Sequence, residues 1–141
     1  MYAGGYLQVP GTSEFSGIEA SASWTLAEGL TLEGFLTDLD AKDATGSQLP
    51  YRPDTTAQVS ARFSSDKIHW LLLARYTGDR GDSFGTVLDE YTVMDSSFRY
   101  TITEDLSISV RAENLTNKAY SDIVGYCSAG RTLYLGLNVS L

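Results

Sequence analysis

Along most of this chain apolar and polar residues alternate with a period of two, a pattern that suits β-strands and little else. In the last stretch Leu133, Leu135, Leu137, Val139 and Leu141 fall on one side, and Thr132, Tyr134, Gly136, Asn138 and Ser140 fall on the other. Successive side chains of a strand point to opposite faces, so this is a ribbon with one apolar side and one wet side.

The same alternation predicts strands over 18–26, 30–37, 57–63, 69–76, 93–100 and 106–113. Residues 2–9 suit the tail of one more. Polar, Gly- and Pro-bearing stretches at 38–55, 78–89 and 117–130 read as long loops, and 27–29, 64–67 and 103–105 as tight turns. No helical period occurs. The expectation is an all-β chain, an antiparallel up-and-down meander of about seven to eight strands in one domain over 1–141. Leu71 and Leu73, on the polar side of their strand, are the worst breach of the pattern.

Alternation alone fits any half-buried antiparallel sheet. Three features point to lipid on the apolar side. Short turns and long loops alternate, as in outer-membrane barrels, where turns gather at one end and loops at the other. Trp24, Phe63, Trp70 and Tyr100 lie on the apolar side close to short turns, where an aromatic belt at a membrane interface would sit. The opposite side carries Glu19, Glu33, Arg62, Arg75, Asp95, Arg99, Arg111 and Glu113 among serines and threonines, a set suited to a wet, ion-paired lumen. Hydrophobic residues make up 43% of the 141. No apolar run nears the roughly 20 residues of a spanning helix, but a spanning strand needs only about 9–11 residues with half of them apolar. The chain therefore reads as a section of a transmembrane β-barrel. Met1–Gly5 has neither a basic nor an apolar leader region, so a membrane reading expects further sequence upstream.

A formal net charge of −8 argues against nucleic acid as a partner. No enzyme site is evident. His69 is the one histidine and Cys127 the one cysteine, which leaves no metal-ligand set around them, and no cofactor is expected. Asp38, Asp40, Asp43 and Gly46 lack the spacing and the closing glutamate of an EF-hand and read as a solvated acidic loop. Arg80-Gly81-Asp82 reads as an ordinary turn rather than an adhesion signal. Glu33 with Arg62, and Arg99 with Glu113, sit on neighbouring strands and are expected to pair across the ladder.

Ser16-Gly17-Ile18-Glu19, Leu49-Pro50-Tyr51-Arg52-Pro53, Glu113-Asn114-Leu115-Thr116-Asn117-Lys118-Ala119-Tyr120, Gly125-Tyr126 with Gly130-Arg131, and the closing strand resemble the C-terminal barrel of TonB-dependent outer-membrane receptors. The resemblance implies a barrel of about 22 strands with a plugged lumen, of which this chain would be the C-terminal part, without the plug or the N-terminal strands. It also implies active uptake of an iron-siderophore, haem or cobalamin, energised by the TonB system through the missing N-terminal part. The expected setting is the outer membrane of a Gram-negative bacterium, with membrane lipid and lipopolysaccharide as neighbours. Tyr126 and Arg131 flank the third loop and are candidates for the ligand rim. Three departures stand out: Leu141 where the family ends in an aromatic residue, Ala129 where proline is common and Thr116 where phenylalanine is common. A small closed eight-strand membrane barrel with a structural or adhesive role, and a soluble β-barrel binder, stay open as alternatives.

Overall fold

The computed structural model describes residues 11–140. The expected strand tail at 2–9 and the terminal Leu141 lie outside the described residues. Nine strands form among the described residues: β1 (Glu14–Ala27), β2 (Leu30–Lys42), β3 (Thr55–Ser64), β4 (Ile68–Thr77), β5 (Arg80–Gly81), β6 (Val87–Leu88), β7 (Tyr91–Thr103), β8 (Leu106–Glu113) and β9 (Thr132–Val139). Seven build one antiparallel sheet in the order β1-β2-β3-β4-β7-β8-β9, while β5 and β6 pair as a hairpin inside the second long loop. Each long strand lies beside the next long strand in sequence, so the sheet is an up-and-down meander.

Local chemistry sets the ends of the strands. Glu28-Gly29 closes the first hairpin, with Gly29 at φ 76° and a register shift between Thr25 and Ala27. The Gly29 carbonyl accepts a bond from the Ser64 amide at 2.8 Å, and a Cβ at Gly29 would lie 2.2 Å from the Ser64 carbonyl oxygen. Only glycine meets both demands. A second register shift, between Thr101 and Thr103, precedes the turn into β8. The three short turns gather at one end of the sheet, and the long connections 43–54, 78–90 and 114–131 at the other.

Among the described residues nothing packs on either face as a second layer. Ala41 and Val93 are the buried hydrophobic ones among them, and no large side chain of the described residues is fully enclosed. The accessible surface is 10594 Å², against roughly 7,100 Å² for a compact monomer of this mass. Even in the interior strand β3, Val59 is 59% exposed, and Leu135 on β9 reaches 78%. Several rows of apolar side chains cross the sheet. One runs Leu30, Phe63, Trp70, Phe98, Val110, Leu135, and the next toward the turns holds Ile68, Tyr100, Ile108 and Leu137. Three of the four expected belt residues, Phe63, Trp70 and Tyr100, thus gather near the turns. Trp24 stands one row farther in, opposite Leu32.

Two expected loops are shorter than the sequence suggested. Asp38 to Lys42 belong to β2, paired with Glu14 to Ile18 of β1. The stretch 78–89 contains the β5–β6 hairpin.

Candidate functional site

Opposite the apolar rows lies a polar face, again ordered in rows. Glu33, Ser60, Leu73 and Asp95 stand side by side, as do Thr31, Arg62, Leu71, Ser97, Arg111 and Tyr134 one step nearer the short turns. The next step holds Ser64, His69, Arg99, Ser109 and Gly136. Arg75 lies one step toward the long loops, between Gln58 and Val93, and Glu19 faces Thr37.

The ion pairs follow this layout. Arg75 Nη2 donates to Asp95 Oδ2 at 2.6 Å, and Arg62 Nη2 reaches Glu33 Oε2 at 3.4 Å. The expected Arg99–Glu113 pair does not form. Glu113 instead meets Arg111, two residues back on its own strand, at 2.6 Å, and Arg99 faces His69 and Ser109. The cause is register, since Arg99 lies two rows nearer the turns than Glu113. The Arg111 guanidinium also covers the Tyr134 ring at 4.7 Å, and Tyr134 Oη donates to Glu113 Oε2 at 3.3 Å. His69 Nδ1 bonds the Ser64 hydroxyl at 2.8 Å.

The long-loop end is built around Asn114, which is 3% exposed and has φ 50°. Its amide donates to Asp95 Oδ1 at 2.9 Å, and its side-chain NH2 donates to the Lys118 and Ala129 carbonyls at 2.9 and 3.1 Å. Its side-chain oxygen accepts from the Lys118 amide at 2.8 Å. Asn117 Oδ1 accepts from the Arg131 amide at 2.9 Å and so fastens the loop to the start of β9. The Glu113-to-Tyr120 segment therefore ties the third loop to both flanking strands and to the Arg75–Asp95 pair.

A second clasp joins two loops. Arg80, 5% exposed, donates to the Ser121 carbonyl at 2.6 Å and to Asp122 Oδ1 at 3.0 Å. Tyr91 donates to the same carboxylate oxygen at 2.7 Å, stacks on Tyr120 at 4.2 Å and lies under the Arg80 guanidinium at 5.3 Å. Asp82 turns its carboxylate onto the Phe84 and Thr86 amides. The Arg80-Gly81-Asp82 tripeptide is thus a structural part of the loops, with its cation buried. The sequence singled out these residues but gave no sign of the clasp, whose partners lie about 40 positions away.

Tyr126, a rim candidate, sits at the tip of the third loop and is 72% exposed; Arg131, the other, is exposed at the foot of β9. The structure does not bring the two side chains together. Asp40 pairs with Lys42, and Asp43 accepts the Thr45 and Ser47 amides. Among the described residues no three His, Cys, Asp or Glu side chains cluster as a metal site.

Residues 2–115 match the family described as TonB dependent receptor-like, beta-barrel. The chain belongs to that family. Among its relatives is the vitamin B12 transporter BtuB of Vibrio cholerae, 31% identical over 140 residues, a match covering 94% of this chain and 23% of the transporter. The chain thus spans about a quarter of the length of the curated relatives it matches. Among solved structures, the ferric yersiniabactin uptake receptor FyuA of Yersinia pestis superposes with a TM-score of 0.80 at 21% identity, over 90% of this chain and 23% of that one. The ferric-catecholate import receptor Fiu of E. coli K12 gives 0.75 at 24%, over 90% and 21%. At such identities these two likenesses establish the fold. Within that family the meander is a stretch of barrel wall.

Proposed function

We propose that this chain is the C-terminal section of the barrel wall of an outer-membrane receptor in a Gram-negative bacterium, one that carries a scarce metal chelate or a cobalamin-like nutrient inward. One observation carries the reading: a single sheet exposes rows of Leu, Val, Trp and Phe on one face and ion pairs on the other. In water such an apolar face would be an aggregation hazard; in a bilayer it meets hydrocarbon. Sheets in lipid must close, because unpaired backbone groups there cost several kcal/mol each. β1 and β9 stand at opposite edges and do not pair with each other, which supports a section of a larger barrel over a small closed one. Tyr126 contributes to the outer rim of the ligand path, and energy reaches the receptor through a TonB-contacting segment outside this chain. The lipid-facing rows meet acyl chains, and the loop end faces lipopolysaccharide.

Cysteine labelling in the full-length receptor, with Cys127→Ser as background, tests the orientation. Leu135→Cys should be silent to a water-soluble maleimide in intact membranes, while Ser109→Cys should react. The reverse pattern would overturn the lipid-facing assignment. Growth of a deletion strain on a panel of iron chelates and cobalamins, with and without the gene, tests the cargo class; growth unaffected on every member would refute uptake.

A further inference from the structure

On the polar face, two adjacent rows near the short turns hold Arg62, Arg111, His69 and Arg99 and no carboxylate. All four line one open hollow of about 470 Å³, together with the hydroxyls of Ser97 and Ser109. The carboxylates that answer two of the three arginines stand one row farther toward the loops. Glu33 reaches Arg62 at 3.4 Å and Glu113 holds Arg111 at 2.6 Å. Arg99 has no ion pair among the described residues. A cationic hollow in a chain of net charge −8 runs against the overall balance, and several guanidinium forks beside hydroxyl donors match the geometry of a planar or tetrahedral oxyanion.

We propose that this hollow binds an oxyanion of the carboxylate or phosphate class, with Arg99 as its main anchor and Arg62, Arg111, Ser97 and Ser109 around it. The inference rests on the reading of this face as lumenal. Two sources present that chemistry: a small anion in the lumen water, or an Asp or Glu side chain of polypeptide enclosed by the barrel. The exposed setting of the arginines predicts weak, salt-sensitive binding for a free anion.

The test uses the full-length receptor in lipid nanodiscs. Line broadening of inorganic phosphate in phosphorus NMR, reduced at least several-fold by Arg99→Gln, identifies a free anion. If phosphate is not broadened, Arg99→Lys treated with a zero-length carbodiimide should couple its amine to a carboxylate outside residues 11–140, mapped by mass spectrometry; that identifies an enclosed side chain. No broadening together with coupling to Glu33 or Glu113 alone, or no coupling, overturns the proposal. Maleimide labelling of Ser109→Cys in the same preparation separates the two failures: if the position reacts as a lumenal one, the anion site alone has failed.

Discussion

Trp70 on β4 donates its indole N–H to the Ser96 hydroxyl on β7 at 3.0 Å, and that hydroxyl donates in turn to the Leu71 carbonyl at 3.1 Å. Ser96 is a polar residue within the apolar rows, between Leu72 and Ala112. The two bonds let the sheet carry a hydroxyl and an indole N–H on its apolar face without leaving either unpaired. Ser96→Ala strands the indole donor and should cost about 1–3 kcal/mol. Trp70→Phe removes the donor, so the double variant should cost less than the sum of the two singles. Urea-dependent unfolding in lipid vesicles measures the cycle, and strict additivity would show that the bond contributes nothing.

The proposed lipid-facing orientation separates the two faces energetically. Val59→Arg and Ala74→Arg place a charge in the apolar rows two steps farther from the turns than Phe63 and Trp70 and should destabilise by about 2–4 kcal/mol near the bilayer midplane. Asn138→Arg, on the polar face of β9, should cost much less. The same vesicle unfolding reads all three, and equal costs would contradict the orientation.

The loop clasp concentrates its effect on one buried cation. Asp122→Asn leaves Arg80 with the Gly78 and Ser121 carbonyls but no counter-charge. Because the Asp122 side chain is itself largely exposed, the loss lies between the values for exposed and buried pairs, about 1–3 kcal/mol. Hydrogen exchange should speed up in 78–90 and 114–131 together, while the sheet stays protected. Loosening confined to one loop would mean that the two are not coupled.

The strands were legible where side chains alternate, and the misjudged boundaries lie where alternation stops carrying information. Apolar residues are required only within the lipid band. Beyond it, Glu14 to Ile18 and Asp38 to Lys42 continue to pair through their backbones, but the pattern reverses: Glu14, Ser16, Asp38, Asp40 and Lys42 stand on the side of the apolar rows and Phe15, Leu39 and Ala41 on the other, so composition read part of a strand as loop. The long-range polar contacts were less legible still. Which carboxylate answers Arg111 or Arg99 depends on a two-row offset, and Arg80 finds Asp122 only once three strands and two loops are in place. Leu71 and Leu73, the breach in the pattern, line a hollow on the polar face with Asp95, Arg111 and Glu113. There they give the charged side chains an apolar floor, a use that periodicity could not reveal.

Asn114 combines a left-handed backbone with three side-chain bonds, and substitutions separate the two roles. Asn114→Gly keeps the φ of 50° without strain but loses the side-chain bonds. Asn114→Ala loses them and adds roughly 1 kcal/mol of backbone strain. Both should destabilise, alanine more, with Lys118 amide exchange accelerated in each. An alanine variant as stable as the glycine one would remove the backbone part of the account.

The acidic loops carry a pH dependence with a definite sign. The Thr45 hydroxyl, followed by the Thr45 and Ser47 amides, donates to Asp43 and holds its carboxyl below the usual 3.8. At Asp82 burial pushes upward, but the Thr86 and Phe84 amides outweigh it and the net direction is again down. A depressed carboxyl stabilises its loop fully above its unfolded pKa, about 3.9, and loses that stabilisation as pH falls through the lower folded value. Protection of the Thr45, Ser47, Phe84 and Thr86 amides should therefore persist from pH 7 to pH 5 and vanish only below about 3.9. Asp43→Ala should abolish protection of Thr45 and Ser47 even at pH 7 and spare Thr86, whereas Asp43→Asn, which keeps an acceptor oxygen, should retain it with little pH dependence. Loss of protection already between pH 7 and 5 would show that these carboxylates are not the groups holding the turns.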